Sequence, residues 1–139
     1  MRTRIYGSFA STGQAPAIAQ LAAELGVTEH RVSSSLATLF EAHEVALSED
    51  GRIWMANPFS AVPTPYPVET PDMTCWANCA WDALGVPALL DTDGWIRTEC
   101  AESREPLEFG IRGGALAGDA GVIHLVTPIR DAWVDIGFT

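Results

Sequence analysis

The chain has 139 residues, a formal charge of −10 and 47% hydrophobic residues, enough for one ordinary domain or two small ones sharing a core. No apolar run approaches the ~20 residues that span a bilayer, and no basic, apolar-cored leader opens the chain, so a cytoplasmic protein without a membrane partner is expected. All eight basic residues are Arg, which removes lysine Schiff-base chemistry, and the acidic balance disfavours nucleic acid, whose binding draws on cations at phosphates.

Residues 1–56 read as a winged-helix-like helical unit. Apolar positions recur at helical spacing from Ala15 to Leu25, and Gly26 is placed to end that helix. Thr28 can cap a second helix, although Arg31 stands where a capping-box Glu would sit. Val32, Leu36, Leu39 and Phe40 form its apolar stripe. Val45–Leu47 and Arg52–Met55 then read as two strands around an Asp50-Gly51 turn. Such units often bind DNA. Here Arg2, Arg4, Arg31 and Arg52 face Glu24, Glu29, Glu41, Glu44, Glu49 and Asp50, so a packing module without a basic face is the better reading.

Residues 57–71 carry Pro58, Pro63, Pro65, Pro67 and Pro71. Alternating Pro blocks helix and favours extended backbone, which predicts a stiff connector pinned to the protein by Phe59, Val62 and Tyr66.

Residues 72–139 predict a helix capped by Asp72 or Thr74, running to about Leu84 and stopped by Gly85. Val86–Leu90 follows as an apolar bridge. The periodicity then shifts toward two, with strands expected over Trp95–Cys100, Pro106–Ile111 and Gly121–Val126 and a short element over Ala132–Ile136. The expected fold is α+β, one helix feeding a small, mostly antiparallel sheet.

Chemistry concentrates in Cys75-Trp76-Ala77-Asn78-Cys79-Ala80-Trp81-Asp82. If the segment is helical, Cys75, Cys79 and Asp82 project from one face. A soft sulfur beside a proton-bearing group suits holding a soft metal and protonating what is attached to it. The plainer alternative is a small buried Cys and an Asp that caps a helix. Three cysteines favour reactive or metal-binding thiols over a disulfide framework. A structural zinc site would need Cys75, Cys79, Cys100 and His124 together, and Cys100 has no near partner in sequence. A Cys–His nucleophile pair would need His124 beside Cys79.

The run Trp76 to Leu84, followed by Val86-Pro87-Ala88-Leu89, resembles the core motif of the alkylmercury lyases (organomercurial lyases). The winged-helix-like unit, the proline-rich connector, the strand ending Thr98-Glu99-Cys100 and the Gly121–His124 strand leading to Trp133 also have counterparts in that family, so the resemblance covers nearly the whole chain. It implies protonolysis of R–Hg⁺ to R–H and Hg²⁺. Cys79 would take the mercury and Asp82 would handle the proton, with a raised pKa if buried beside Trp76 and Trp81. Cys100 matches a cysteine regarded as structural. No resident cofactor is implied, only a small organomercurial substrate, external small thiols and a mercury-accepting reductase as partner.

The chain departs from the family at its second catalytic cysteine, because no Cys lies between 101 and 139. It therefore reads as truncated before that residue, leaving Cys75 as the local candidate for the second sulfur and metal ligand. Two other readings follow from the same residues: a lyase-like thiol protein that binds mercurials or another soft metal without cleaving them, and a winged-helix regulator with a thiol sensor.

Overall fold

The structure is a computed structural model and describes residues 1–137. It opens with a helix that the sequence pattern does not announce, α1 (Arg2–Thr12). Its polar residues satisfy the helix rather than mark its start: Ser11 and Thr12 hydroxyls donate to the Gly7 and Ser8 carbonyls at 2.8 Å. Ile5 and Phe9, one turn apart, are both fully buried. Gly13 ends the helix at φ +69°, and a Cβ there would lie 2.3 Å from the Thr74 carbonyl oxygen.

The next elements follow the expected order. α2 (Ile18–Leu25) ends at a left-handed Gly26, and α3 (Glu29–Glu41) is capped by Thr28, whose Oγ1 accepts from the Arg31 N–H at 3.3 Å. Val32 and Leu36 are buried, whereas Phe40 is 43% exposed and meets Trp133 edge-on at 6.4 Å. β1 (Ala46–Leu47) and β2 (Ile53–Ala56) pair antiparallel around the turn containing Gly51.

The proline-rich stretch does more than connect. It supplies β3 (Phe59–Ser60) and β4 (Pro67–Glu69), and β5 (Thr74–Ala77) inserts between them. The helix expected from Asp72 or Thr74 therefore begins later, as α4 (Ala80–Leu90). Thr74-Cys75-Trp76-Ala77 alternates exposed and buried positions, and its neighbours on both sides complete its ladder, so pairing outweighs the helical reading. Gly85 and Pro87 lie inside α4 instead of stopping it. Gly85 is where the helix meets Pro58, 3.3 Å from an added Cβ, and Pro87 packs on Gly94, 2.8 Å from an added Cβ. The stretch Val86–Leu90 is thus the second half of a helix, not a bridge.

β6 (Gly94–Glu99), β7 (Pro106–Arg112) and β8 (Ala115–Gly118) complete an eight-stranded sheet in the order β1-β2-β3-β5-β4-β6-β7-β8, antiparallel at every pairing. The Gly113-Gly114 turn, with φ +58° and +75°, makes β8 from a segment with little strand character of its own. The strand expected over Gly121–Val126 is absent from the fold: that segment is irregular, with Val122 93% and Val126 77% exposed, because no sheet edge pairs with it. A 3-10 turn over Ile129–Val134 overlaps the first part of the short element expected over Ala132–Ile136.

Helices and sheet share one core. Ile5, Phe9, Leu21 and Leu36 from the N-terminal helices cluster with Phe59, Val68, Cys75 and Ala77 from the sheet and Val86 from α4. Phe9 and Phe59 stack at 5.0 Å with ring planes 8° apart. No described helix is long and apolar enough to cross a membrane.

Candidate active site

The site forms where β5 hands over to α4. Ala77 N–H donates to the Tyr66 carbonyl at 3.0 Å, and the Ala77 carbonyl accepts from Thr64 Oγ1 at 2.6 Å, fixing the end of the strand. Cys79 keeps extended dihedrals (φ −148°, ψ 179°) and becomes the residue that caps α4. Its Sγ accepts the Asp82 N–H at 3.5 Å, so sulfur occupies the place usually taken by a Ser or Asp oxygen. The same N-terminal turn carries the Asp82 side chain, and thiol and carboxyl adjoin at one helix start.

Burial is the largest influence on both groups. It pushes the Cys79 thiol up, with the Asp82 carboxylate adding to the rise, while the Asp82 and Trp81 backbone N–H groups oppose it. It also pushes the Asp82 carboxyl above the usual carboxylate range, against hydrogen bonds from Asn78 and Cys79. Of the flanking tryptophans, Trp76 is half-buried on β5 and Trp81 is 61% exposed.

Several residues that sequence reasoning passed over belong here. Asn78 Nδ2 donates to Asp82 Oδ2 at 3.1 Å and to Asn57 Oδ1 at 2.9 Å. Tyr6, from α1, donates its hydroxyl to the Asn57 carbonyl at 3.0 Å. Burial raises the Tyr6 pKa, with the charge of Asp82 among the contributors. Tyr66 is raised by burial and then by the neighbouring Cys79. Asn78 stands inside the motif, but Tyr6, Asn57 and Tyr66 are remote in sequence: the pairing of β5 with β3 and β4 brings Asn57 and Tyr66 near, and the packing of α1 brings Tyr6.

The other cysteines stand apart from this pair. Cys75 is on β5, opposite Val68, only 1% exposed, with its Cβ 3.3 Å from where a Gly13 Cβ would be. It is a core residue on a strand, not a neighbour one helical turn before Cys79, and burial pushes its thiol up to about 11. Cys100 lies in the turn after β6, where the Ser103 N–H donates to Sγ at 3.5 Å; the Ser103 hydroxyl and backbone, with the Glu102 backbone, hold its thiol below the ordinary value. His124 is exposed in the irregular segment. Among the described residues, no group of three or more His, Cys, Asp or Glu side chains is arranged to hold a metal ion.

A family model described as alkylmercury lyase (MerB) matches residues 59–138, which include β3 to β8 and both Cys79 and Asp82. A solved structure described as the mercury-bound form of MerB2 is similar at 29% identity with a TM-score of 0.67, over 83% of this chain. The chain spans about half of that protein's length, 55%. No curated protein matches the sequence. With more than half of its residues under the family model and the same α+β architecture around the motif, this chain belongs to the alkylmercury lyase family.

Proposed function

We propose that the protein cleaves carbon–mercury bonds by protonolysis, with Cys79 as the mercury-binding nucleophile and Asp82 as the proton carrier. The observation that carries this reading is the shared helix start: the Cys79 sulfur and the Asp82 residue are joined by a 3.5 Å hydrogen bond, and both side chains are partly withdrawn from water.

The step balances as follows. The Cys79 thiol exchanges onto R–Hg⁺, forming the S–Hg bond and passing its proton to the Asp82 carboxylate. Asp82 then returns that proton to carbon as the C–Hg bond breaks, its electron pair going to the new C–H bond. The products are R–H and Hg²⁺ held on sulfur. A soft thiolate is the ligand that a soft metal selects. An acid one helical turn away replaces slow protonation from bulk water by a local transfer. The raised pKa of Asp82 suits it to holding a proton between the two steps.

In this reading a small thiol from solution binds the mercury as the second sulfur and gives up its proton to water. Its place in the core and its raised pKa argue against Cys75 in that role. Small thiols or a mercury-accepting reductase then take the metal. Mercurial binding without cleavage is the competing reading, favoured by the separation of Cys75 from the Cys79–Asp82 pair.

The test is headspace detection of benzene from phenylmercuric acetate with excess small thiol. The wild-type protein is expected to release benzene. Cys79→Ser should abolish both release and mercurial capture at that site. Asp82→Ala should keep capture and slow release by about 10²-fold or more, as loss of a positioned acid does. Stoichiometric mercury on Cys79 of the wild type with no benzene would leave a binding protein and remove the lyase assignment.

A further inference from the structure

We propose that Asn78 is a positioning residue that aims the Asp82 carboxyl, and that Asn57 in turn fixes Asn78. The inference rests on the lyase reading above and adds to it a residue with no chemistry of its own. Its basis is geometric. One atom of the Asn78 amide lies 2.9 Å from Asn57 Oδ1 and 3.1 Å from Asp82 Oδ2. Facing the Asn57 amide oxygen on one side and a carboxylate on the other, that atom is assigned as the donor nitrogen, with one hydrogen directed to each.

The cost of this arrangement is visible on the other side of the amide. Asn78 Oδ1 is buried and has no hydrogen-bond partner among the described residues. Buried polar atoms are ordinarily paired. An amide that leaves its own oxygen dry while spending both hydrogens is oriented by the carboxyl and by Asn57, not by the general need to satisfy its atoms.

The backbone fixes the rest of the chain of contacts. Asn78 N–H donates to the Pro58 carbonyl at 3.3 Å, and the Asn57 carbonyl is held by the Tyr6 hydroxyl at 3.0 Å. The carboxyl of Asp82 is therefore tied through two amides to the turn between β2 and β3 and to α1. Without Asn78 the carboxyl would keep its place on α4 but lose the contact that fixes its rotation. Small misplacements of a reacting group reduce rate while leaving binding intact.

The experiment separates capture from cleavage in the 139-residue chain. Protein is loaded with one equivalent of phenylmercuric acetate, peptide mapping locates the adduct on Cys79, and excess small thiol is added while benzene is timed. Asn78→Ala is expected to load Cys79 like the wild type and to release benzene about 10-fold or more slowly. Asn57→Ala, which touches neither sulfur nor carboxyl, should give a smaller slowing with the same loading, and it decides the matter if Asn78→Ala does not fold. Release at the wild-type rate in the folded variants would overturn the positioning role while leaving the lyase reading intact. A wild-type protein that loads and releases nothing would overturn both.

Discussion

The three cysteines occupy three different environments, and their reactivities should separate accordingly. Thiolate fraction and exposure together govern alkylation. Cys100, in a surface turn with its thiol pulled down, should react first with iodoacetamide at neutral pH; Cys79 should follow, and Cys75 should stay unmodified until the chain unfolds. Peptide mapping over time checks the order, and early labelling of Cys75 would contradict its place in the core. Cys75 also has a pH signature. Its native pKa of about 11 lies above the unfolded value of 9.0, so the stability that it contributes is complete below pH 9 and is lost as pH rises toward and past 11. Two pKa units correspond to roughly 3 kcal/mol at the alkaline limit. Cys75→Val should remove that part of the alkaline loss, read as a smaller fall in Tm between pH 8.5 and 10.5 than the wild type shows.

At the scale of elements, what was legible in the sequence was whatever local chemistry decides. Gly26 and Thr28 bound α2 and α3 as their φ preference and capping oxygen require, and the Gly51 turn joins β1 to β2. The misread elements are those that long-range pairing or packing decides. Thr74–Ala77 has helical spacing of Cys75 with Cys79, yet the open edges of β3 and β4 claim it as a strand. Gly85 and Pro87 look like stops, yet each is a close approach of α4 to a neighbour. The candidate site divides in the same way: Cys79 and Asp82 are three residues apart in sequence, whereas Asn57 and Tyr66 arrive through the sheet and Tyr6 through α1. Gly13 shows the pressure of such an approach most directly. Gly13→Ala would force a Cβ within 2.3 Å of the Thr74 carbonyl at a left-handed φ of +69°. Left-handed strain and overpacking together should destabilise the fold by about 2–4 kcal/mol, seen as a Tm lowered by several degrees in a thermal melt.

For the molecule as a whole, the region matched by the family model begins at residue 59, but the packing does not stop there. β2 pairs with β3 across that point, Phe9 lies flat on Phe59, and Tyr6 reaches Asn57 beside the site. A polypeptide of residues 57–139 alone would expose Phe59 and the outer edge of β3. It is expected to be poorly soluble and to lack a cooperative melt, whereas the 139-residue chain is expected to unfold in one transition. A soluble, cooperatively folding fragment would show the two regions to be independent. Interdependence of this kind also constrains descent. A crossover between two divergent relatives at the proline-rich stretch would pair one parent's aromatic ring and tyrosine with the other's strand and asparagine. Progeny would survive only where both parents carried compatible partners, so the helical half and the motif half are expected to be inherited as a single unit and to drift together.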